Sequence, residues 1–176
     1  MNISGIFTLI RLIFSPVLLA PLIALQAPVY ITFFLYIFLA ATDFLDGYYA
    51  RKYHQVSELG AFLDQFADKM FLFSVMFATL YTHQLPLSVA LLLAFRELAV
   101  MGLREYGMKK NISLPVIFSA KLKTVFQMIL FAGIVIQPAG SIVRYTTYFL
   151  FLVTIALSYY SAYFYLKKFG HIRASL

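Results

Sequence analysis

Apolar residues run along the chain in six long blocks, and most charged residues sit at their ends or between them. A helix that crosses a bilayer needs about 20 mainly apolar residues. Blocks of that kind cover Ile10–Gln26, Val29–Tyr49, Glu58–Tyr81, Pro86–Glu105, Ala120–Ile136 and Ser141–Leu166, and each predicts a membrane span. The breaks before Val29, around His83–Pro86 and around Gln137–Ser141 are short, nearly uncharged and marked by proline. Residues 1–9 are too few to span. Ile3, Ile6, Phe7 and Ile10 fit one face at helical spacing, which predicts a short interfacial turn leading into the first span. The predicted fold is an all-α membrane protein: one domain over residues 1–176, six transmembrane helices, and a polar cavity in the cytoplasmic half.

Composition removes the soluble alternative. The chain has 176 residues, 62% hydrophobic and 12% charged, whereas soluble domains are nearer ~45–50% apolar and ~25% charged. Cysteine is absent, which excludes disulfides, thiolate metal sites and thiol nucleophiles. Arg11 follows an apolar stretch with no small-x-small site to close it, so the first block reads as retained rather than cleaved. The net charge of +7 does not form a continuous basic stripe, and a nucleic-acid partner is not expected.

The placement of charge supports six spans. Arg11, Arg51, Lys52, Lys69, Arg96, Arg104, Lys109, Lys110, Lys121, Lys123, Lys167, Lys168 and Arg173 fall near the N-terminus, the second or fourth connection, or the C-terminus. Only Arg144 falls on the other side. The positive-inside rule then places both termini in the cytoplasm, as for a multi-pass protein of the cell's inner membrane. The acids Asp43, Asp46, Glu58, Asp64, Asp68, Glu97 and Glu105 all lie toward that same side. The chemistry is therefore expected in the cytoplasmic half of the bundle.

Four of those acids form a pattern. Asp43 and Asp46 are three apart near the end of the second span, and Asp64 and Asp68 are four apart near the start of the third. Each pair projects from one helix face, and the short loop makes the helices antiparallel neighbours. An aspartate within a bilayer costs roughly 2.5–3.5 kcal/mol on insertion scales, and four together also repel. Divalent cations remove both penalties. Hard oxygen donors, with no cysteine and only His54 nearby, favour Mg²⁺ or Mn²⁺ over zinc. Four carboxylates on two helices suit a pair of bridged ions. Gly47, Ala50 and Gly60 let helices and a ligand approach closely, and Arg51 offers a planar fork to a phosphate. An ion or proton pathway, or small residues that only pack helices, are the blander readings of the same residues.

The string D-x2-D-G-x2-A-R-x8-G-x3-D-x3-D runs unbroken from Asp43 to Asp68. It resembles the signature of the CDP-alcohol phosphotransferases. That resemblance implies six transmembrane helices, a homodimer, a cytoplasm-facing cavity and two divalent cations. It also implies transfer from a CDP-linked donor to an alcohol with release of CMP. By position it makes Asp43, Asp46 and Asp64 metal ligands, and Asp68 the general base with a possible metal contact. Gly47, Ala50, Arg51 and Gly60 become donor-binding residues. The run Asn2 to Arg11 with Thr8 and Pro16, the pairs Arg96-Glu97 and Arg104-Glu105, and Lys121-Leu-Lys123-Thr124 with Gln127 are similar to the phosphatidylglycerophosphate synthase branch. This adds Thr8 to the donor-binding set. Ser4, Gly5 and Gln65 depart from that branch, where Pro, Asn and Pro are usual.

The branch implies CDP-diacylglycerol as donor and glycerol 3-phosphate as acceptor. An acceptor dianion needs fixed cations, and Arg96, Arg104, Lys121 and Lys123 are the candidates. The alternative for Arg96 is charge compensation by Glu97 or Glu105. Lys109 and Lys110, like Lys167, Lys168 and Arg173, read as loop or tail residues facing anionic lipid. Tyr159, Tyr160, Tyr163 and Tyr165 read as an interfacial belt. Competing functions are the same transfer with another acceptor (cardiolipin, phosphatidylserine or phosphatidylinositol phosphate synthesis), a divalent-cation transporter, and a degenerate binding module. A transporter predicts acids along a path across the bilayer, and the outer half has none.

Overall fold

The computed structural model describes the backbone of residues 3–52, 58–109, 118–136 and 141–174, and the side chains of 5–42, 60, 62–107, 118–136 and 149–167. All the described elements are helical. They are α1 (Ile3–Phe14), a π-helical segment (Ser15–Leu19), α2 (Ala20–Ala24), α3 (Val29–Lys52), α4 (Glu58–Tyr81), α5 (Leu87–Lys109), α6 (Phe118–Val135) and α7 (Ser141–Ala174).

The helices lie where the apolar blocks lie, with differences at their ends. The expected interfacial turn is not a separate element. The helix starts at Ile3, and Gly5–Ala24 forms one apolar stretch of 20 residues. Arg11, in the middle of this stretch, is 1% exposed and held inside the protein. At the other end α7 continues past Leu166 to Ala174 and carries the basic tail with it.

Among the described residues, three stretches are long and apolar enough to cross a membrane: Gly5–Ala24, Phe118–Val135 and Phe149–Lys167. Within the described part of α3, Val29–Thr42 is a shorter apolar run. The helices α4 and α5 carry more charge; their 24 and 23 residues give a length of about 35 Å at 1.5 Å per residue.

Proline shapes the first helix. Pro16 and Pro21 each lack the N–H that a regular helix would donate four residues back. Between them the backbone widens, and the Ala20 N–H reaches the Ser15 carbonyl five residues back. The chain thus continues as one rod through a π-helical turn instead of breaking. Two of the turns end in left-handed residues, Gln26 (φ 51°) and His83 (φ 59°). Around each, paired backbone bonds close the helix: Ala27 N to Leu22 O at 2.9 Å with Gln26 N to Ile23 O at 3.1 Å, and Gln84 N to Thr79 O at 3.0 Å with His83 N to Leu80 O at 3.1 Å. This is the Schellman arrangement, which satisfies carbonyls that the helix end would leave bare.

The residues group into two compact units, 1–86 with 131–137 and 87–130 with 138–176. In the first, α1 packs on α3 and α4, and α2 on α4. Leu19, Ile23, Tyr36, Leu39, Ala67, Phe71 and Val75 are buried there, with the Tyr36 and Phe71 rings 5.3 Å apart. In the second, α5 packs on α7.

Both units bury polar side chains among apolar ones and expose large apolar side chains. Phe95 is 73% exposed while its neighbour Arg96 is 5% exposed. In water that order would be unstable, but lipid tails are as apolar as leucine, so helices associate through packing and polar contacts instead. Several buried hydroxyls are satisfied within their own helices. Thr42 donates to Leu39 O at 2.7 Å, Thr79 to Val75 O at 2.9 Å, and Thr154 to Leu150 O at 2.7 Å. Such back-bonding leaves the methyl group as the packing surface. The fold is that of an integral membrane protein.

Candidate active site

Asp64 and Asp68 stand one turn apart on α4, with side chains 41% and 45% exposed. The residue opposite them is Arg11 of α1. Its Nη2 donates to Asp64 Oδ1 at 2.6 Å and lies 2.9 Å from Asp68 Oδ1. One nitrogen thus gathers two carboxylates. Thr8, one turn before Arg11, is also buried, and Ser15 one turn after it donates to the Arg11 carbonyl at 2.5 Å. Thr8, Arg11 and Ser15 form a polar stripe on an otherwise apolar helix.

The energetics explain why these three charges occur together. A guanidinium removed from water costs several kcal/mol unless it is paired with good geometry. Two carboxylates at i and i+4 repel by about 0.2–0.5 kcal/mol on an exposed helix, and by more where solvent is scarce. The shared Arg11 nitrogen offsets both. The carboxylates remain near half exposed.

Their donors are hard oxygens with neither thiolate nor imidazole among them, a set suited to Mg²⁺ or Mn²⁺. Among the described residues no cluster of three or more His, Cys, Asp or Glu side chains occurs. The other half of the aspartate pattern falls on the last turns of α3, whose backbone is helical through Lys52. The side chains of Asp43, Asp46, Gly47, Ala50 and Arg51 lie outside the described residues. Gly60 lies on α4 one turn before Asp64 and is half-buried.

The second unit carries the remaining candidates. Glu97 on α5 is 2% exposed and lies between two cations. Its Oε1 accepts from Arg96 Nη1 at 3.2 Å and from Lys123 Nζ of α6. Arg96 also donates through Nε to the Ser158 carbonyl at 2.9 Å and through Nη2 to Ser161 Oγ, both on α7. Arg96 thus pairs with Glu97, its neighbour on the same helix. Lys121 and Lys123 are two apart and fall on opposite faces of α6: Lys123 is buried and Lys121 exposed. Arg104 is half-buried. Arg96, Glu97 and Lys123 together hold two positive charges and one negative. The Gln127 amide nitrogen, one turn after Lys123, is buried with no hydrogen-bond partner.

Sequence reasoning missed two contributions. Arg11 read as a charge flanking a span, because its partners lie 53 and 57 residues away. The last helix read as generic apolar sequence, yet Thr154, Ser158, Ser161 and Tyr165 are all buried along one of its faces. Their 4-3-4 spacing was available as a signal. Tyr165 is therefore not part of the interfacial belt, whereas Tyr159, Tyr160 and Tyr163 are exposed.

Residues 1–160 match the model of the CDP-alcohol phosphatidyltransferase family. The chain belongs to that family. Among curated members, a Cereibacter sphaeroides CDP-diacylglycerol–glycerol-3-phosphate 3-phosphatidyltransferase is 38% identical over 153 residues, 81% of this chain and 69% of its own length. A Yersinia pestis protein of the same name is 32% identical over 174 residues, 95% of this chain and 94% of its own. One from Rickettsia bellii is 38% identical over 111 residues, 63% of this chain, and there the match spans only 61% of the relative's length. For a CDP-alcohol phosphatidyltransferase, the Asp64–Asp68 pair of α4 falls inside the matched region, as do Arg11 and the Arg96–Glu97–Lys123 cluster.

Proposed function

We propose that this protein transfers a phosphatidyl group from CDP-diacylglycerol to sn-glycerol 3-phosphate, giving phosphatidylglycerophosphate and CMP in phospholipid synthesis. The observation that carries the reading is the Asp64–Asp68 pair, one turn apart and half-open, within an unbroken family motif. The printed names of the three relatives above support the donor and the acceptor.

In this reading Asp43, Asp46, Asp64 and Asp68 hold two divalent cations, Mg²⁺ or Mn²⁺. When bound, those ions supply neutralising charge for the pyrophosphate and for the departing CMP. Gly47, Ala50, Arg51, Gly60 and Thr8 bind the CDP moiety. Asp68 accepts the proton of the acceptor hydroxyl. The freed oxygen attacks the phosphorus that bears diacylglycerol; a P–O bond forms there, and the P–O bond to CMP breaks with its electron pair leaving on CMP. The chain has no cysteine, and no serine occupies a fixed position of the motif, Ser57 falling in its eight-residue spacer, so direct transfer is the simpler route. Arg104, Lys121, Arg96 and Lys123 serve the acceptor's phosphate. The excess positive charge around Glu97 supports an anionic acceptor over a neutral one. The chain crosses the inner membrane six times with both termini and the active site cytoplasmic, the polar groups line a cavity in that half, and the protein works as a homodimer.

Purified protein supplied with labelled CDP-diacylglycerol, Mn²⁺ or Mg²⁺ and a panel of alcohols tests this. CMP release with glycerol 3-phosphate alone is expected. Release with a different alcohol would reassign the acceptor, and no release with any of them would remove the catalytic reading. Asp68→Asn should lose turnover while still binding donor; retained turnover would take the base role from Asp68.

A further inference from the structure

We infer that Arg11 is a positioning residue that holds the Asp64 and Asp68 carboxylates convergent for the divalent cation. The inference rests on the metal-ligand reading of those aspartates.

Three observations support it. Arg11 is 1% exposed, so its guanidinium has one place to be. A single nitrogen, Nη2, lies within 2.9 Å of Oδ1 of both carboxylates, which fixes how each one is turned. Finally, the helix that carries Arg11 is anchored, because α1 packs on both α3 and α4. Without the guanidinium, two like charges one turn apart and near half exposed would swing away from each other into solvent. A cation would then have to gather them before binding.

Charge counting predicts the opposite. A guanidinium beside a cation site repels the cation, so its removal should tighten binding. Outer partners that orient ligands work the other way, and their loss typically weakens metal affinity or activity about 10–100-fold. The sign of the change therefore separates a positioning role from a competing counter-ion.

The experiment is a Mn²⁺ titration of the full chain in detergent, without substrate, following the paramagnetic resonance signal of free Mn²⁺. Wild type, Arg11→Met, Arg11→Lys and Asp64→Asn are compared. Arg11→Met is expected to weaken Mn²⁺ binding about tenfold or more. Arg11→Lys keeps the charge but loses the planar fork, and should weaken binding by about threefold at least. If Arg11→Met does not fold, Arg11→Lys decides alone. Binding as tight as wild type, or tighter, in the variant that folds overturns the inference. Asp64→Asn guards the premise: if it binds Mn²⁺ as wild type does, the metal-ligand reading has failed, and not the role of Arg11. Steady-state kinetics add a second readout. Loss of positioning lowers kcat at saturating Mn²⁺ while the KM for the acceptor stays near wild type; a change in acceptor KM alone would also overturn the inference.

Discussion

Replacing Glu97 by alanine strips the counter-charge from two buried cations. Arg96 and Lys123 are each about 5% exposed, and both bond the same Glu97 oxygen. At 3.2 Å and an effective dielectric of about 20, the Arg96 pair gains about 5 kcal/mol before desolvation is counted. Desolvation of the three groups consumes much of that gain, so the intact cluster contributes little net stability. Removal of one partner is different, because the desolvation cost stays while the attraction goes. Such losses run to about 3–5 kcal/mol. Arg96 cannot escape to solvent, since Nε is held by the Ser158 carbonyl at 2.9 Å and Nη2 by Ser161. Glu97→Ala should therefore destabilise the protein by about 3–5 kcal/mol, or lower the melting temperature by roughly 6–20 °C for a chain of this size. Glu97→Gln keeps an oxygen acceptor in place and should cost less. The chain has neither tryptophan nor cysteine, so unfolding is best followed by far-ultraviolet circular dichroism in detergent. A loss under about 1 kcal/mol for Glu97→Ala would refute the reasoning, because it is what a solvated surface pair gives. Equal losses for alanine and glutamine would assign the effect to charge alone.

Arg104 is half-buried with more room to reach a ligand than Arg96. Arg104→Ala should raise the KM for glycerol 3-phosphate about tenfold with little change in melting temperature, the cost of one charge-assisted bond of about 1.5 kcal/mol. Arg96→Ala should lower the melting temperature as well, and an unchanged KM there would take Arg96 out of the acceptor site. His83 occupies a left-handed position at φ 59°, where a side chain costs about 1 kcal/mol. His83→Gly should raise the thermal midpoint slightly, by an equivalent of about 0.5–1 kcal/mol; a lower midpoint would mean that the imidazole makes a contact worth more than the strain.

The helices were legible because lipid imposes one rule on every block, and the prolines mark where blocks stop. The start of α1 was placed late because residues 1–9 are too few to span by themselves, and Arg11 was grouped with the charges near the N-terminus; hydropathy treats a buried ion pair and a solvated lysine alike. The aspartate spacing named Asp64 and Asp68 without any structure, since i and i+4 on one helix is local information. Arg11 could not be found that way. Its pairing with α4 is a tertiary fact across more than 50 residues, and nothing in Ile10-Arg11-Leu12 announces it. Lys123 and Lys121 looked equivalent until the helix turned them to opposite sides. The serines that hold Arg96 were hidden among apolar neighbours because a hydroxyl barely changes hydropathy, although its helical spacing is regular.

The wide turn at Ser15–Leu19 has a consequence for the charges upstream of it. Arg11, Ser15, Leu19 and Ile23 are all buried, and each lies four residues from the next. Around a 3.6-residue turn, every four-residue step drifts by about 40°, so three such steps would carry Ile23 about 120° away from Arg11. The extra residue in the π-helical turn takes back part of that drift. The guanidinium and the apolar residues deeper in the bilayer can thus lie along a single line. Pro16 and Pro21 act here as a phase corrector, and a lesion at either proline would be felt as rotation of the polar end of the helix relative to its apolar end. Substitutions at Pro16 or Pro21, which themselves carry no polar side chain, should behave like lesions at Arg11.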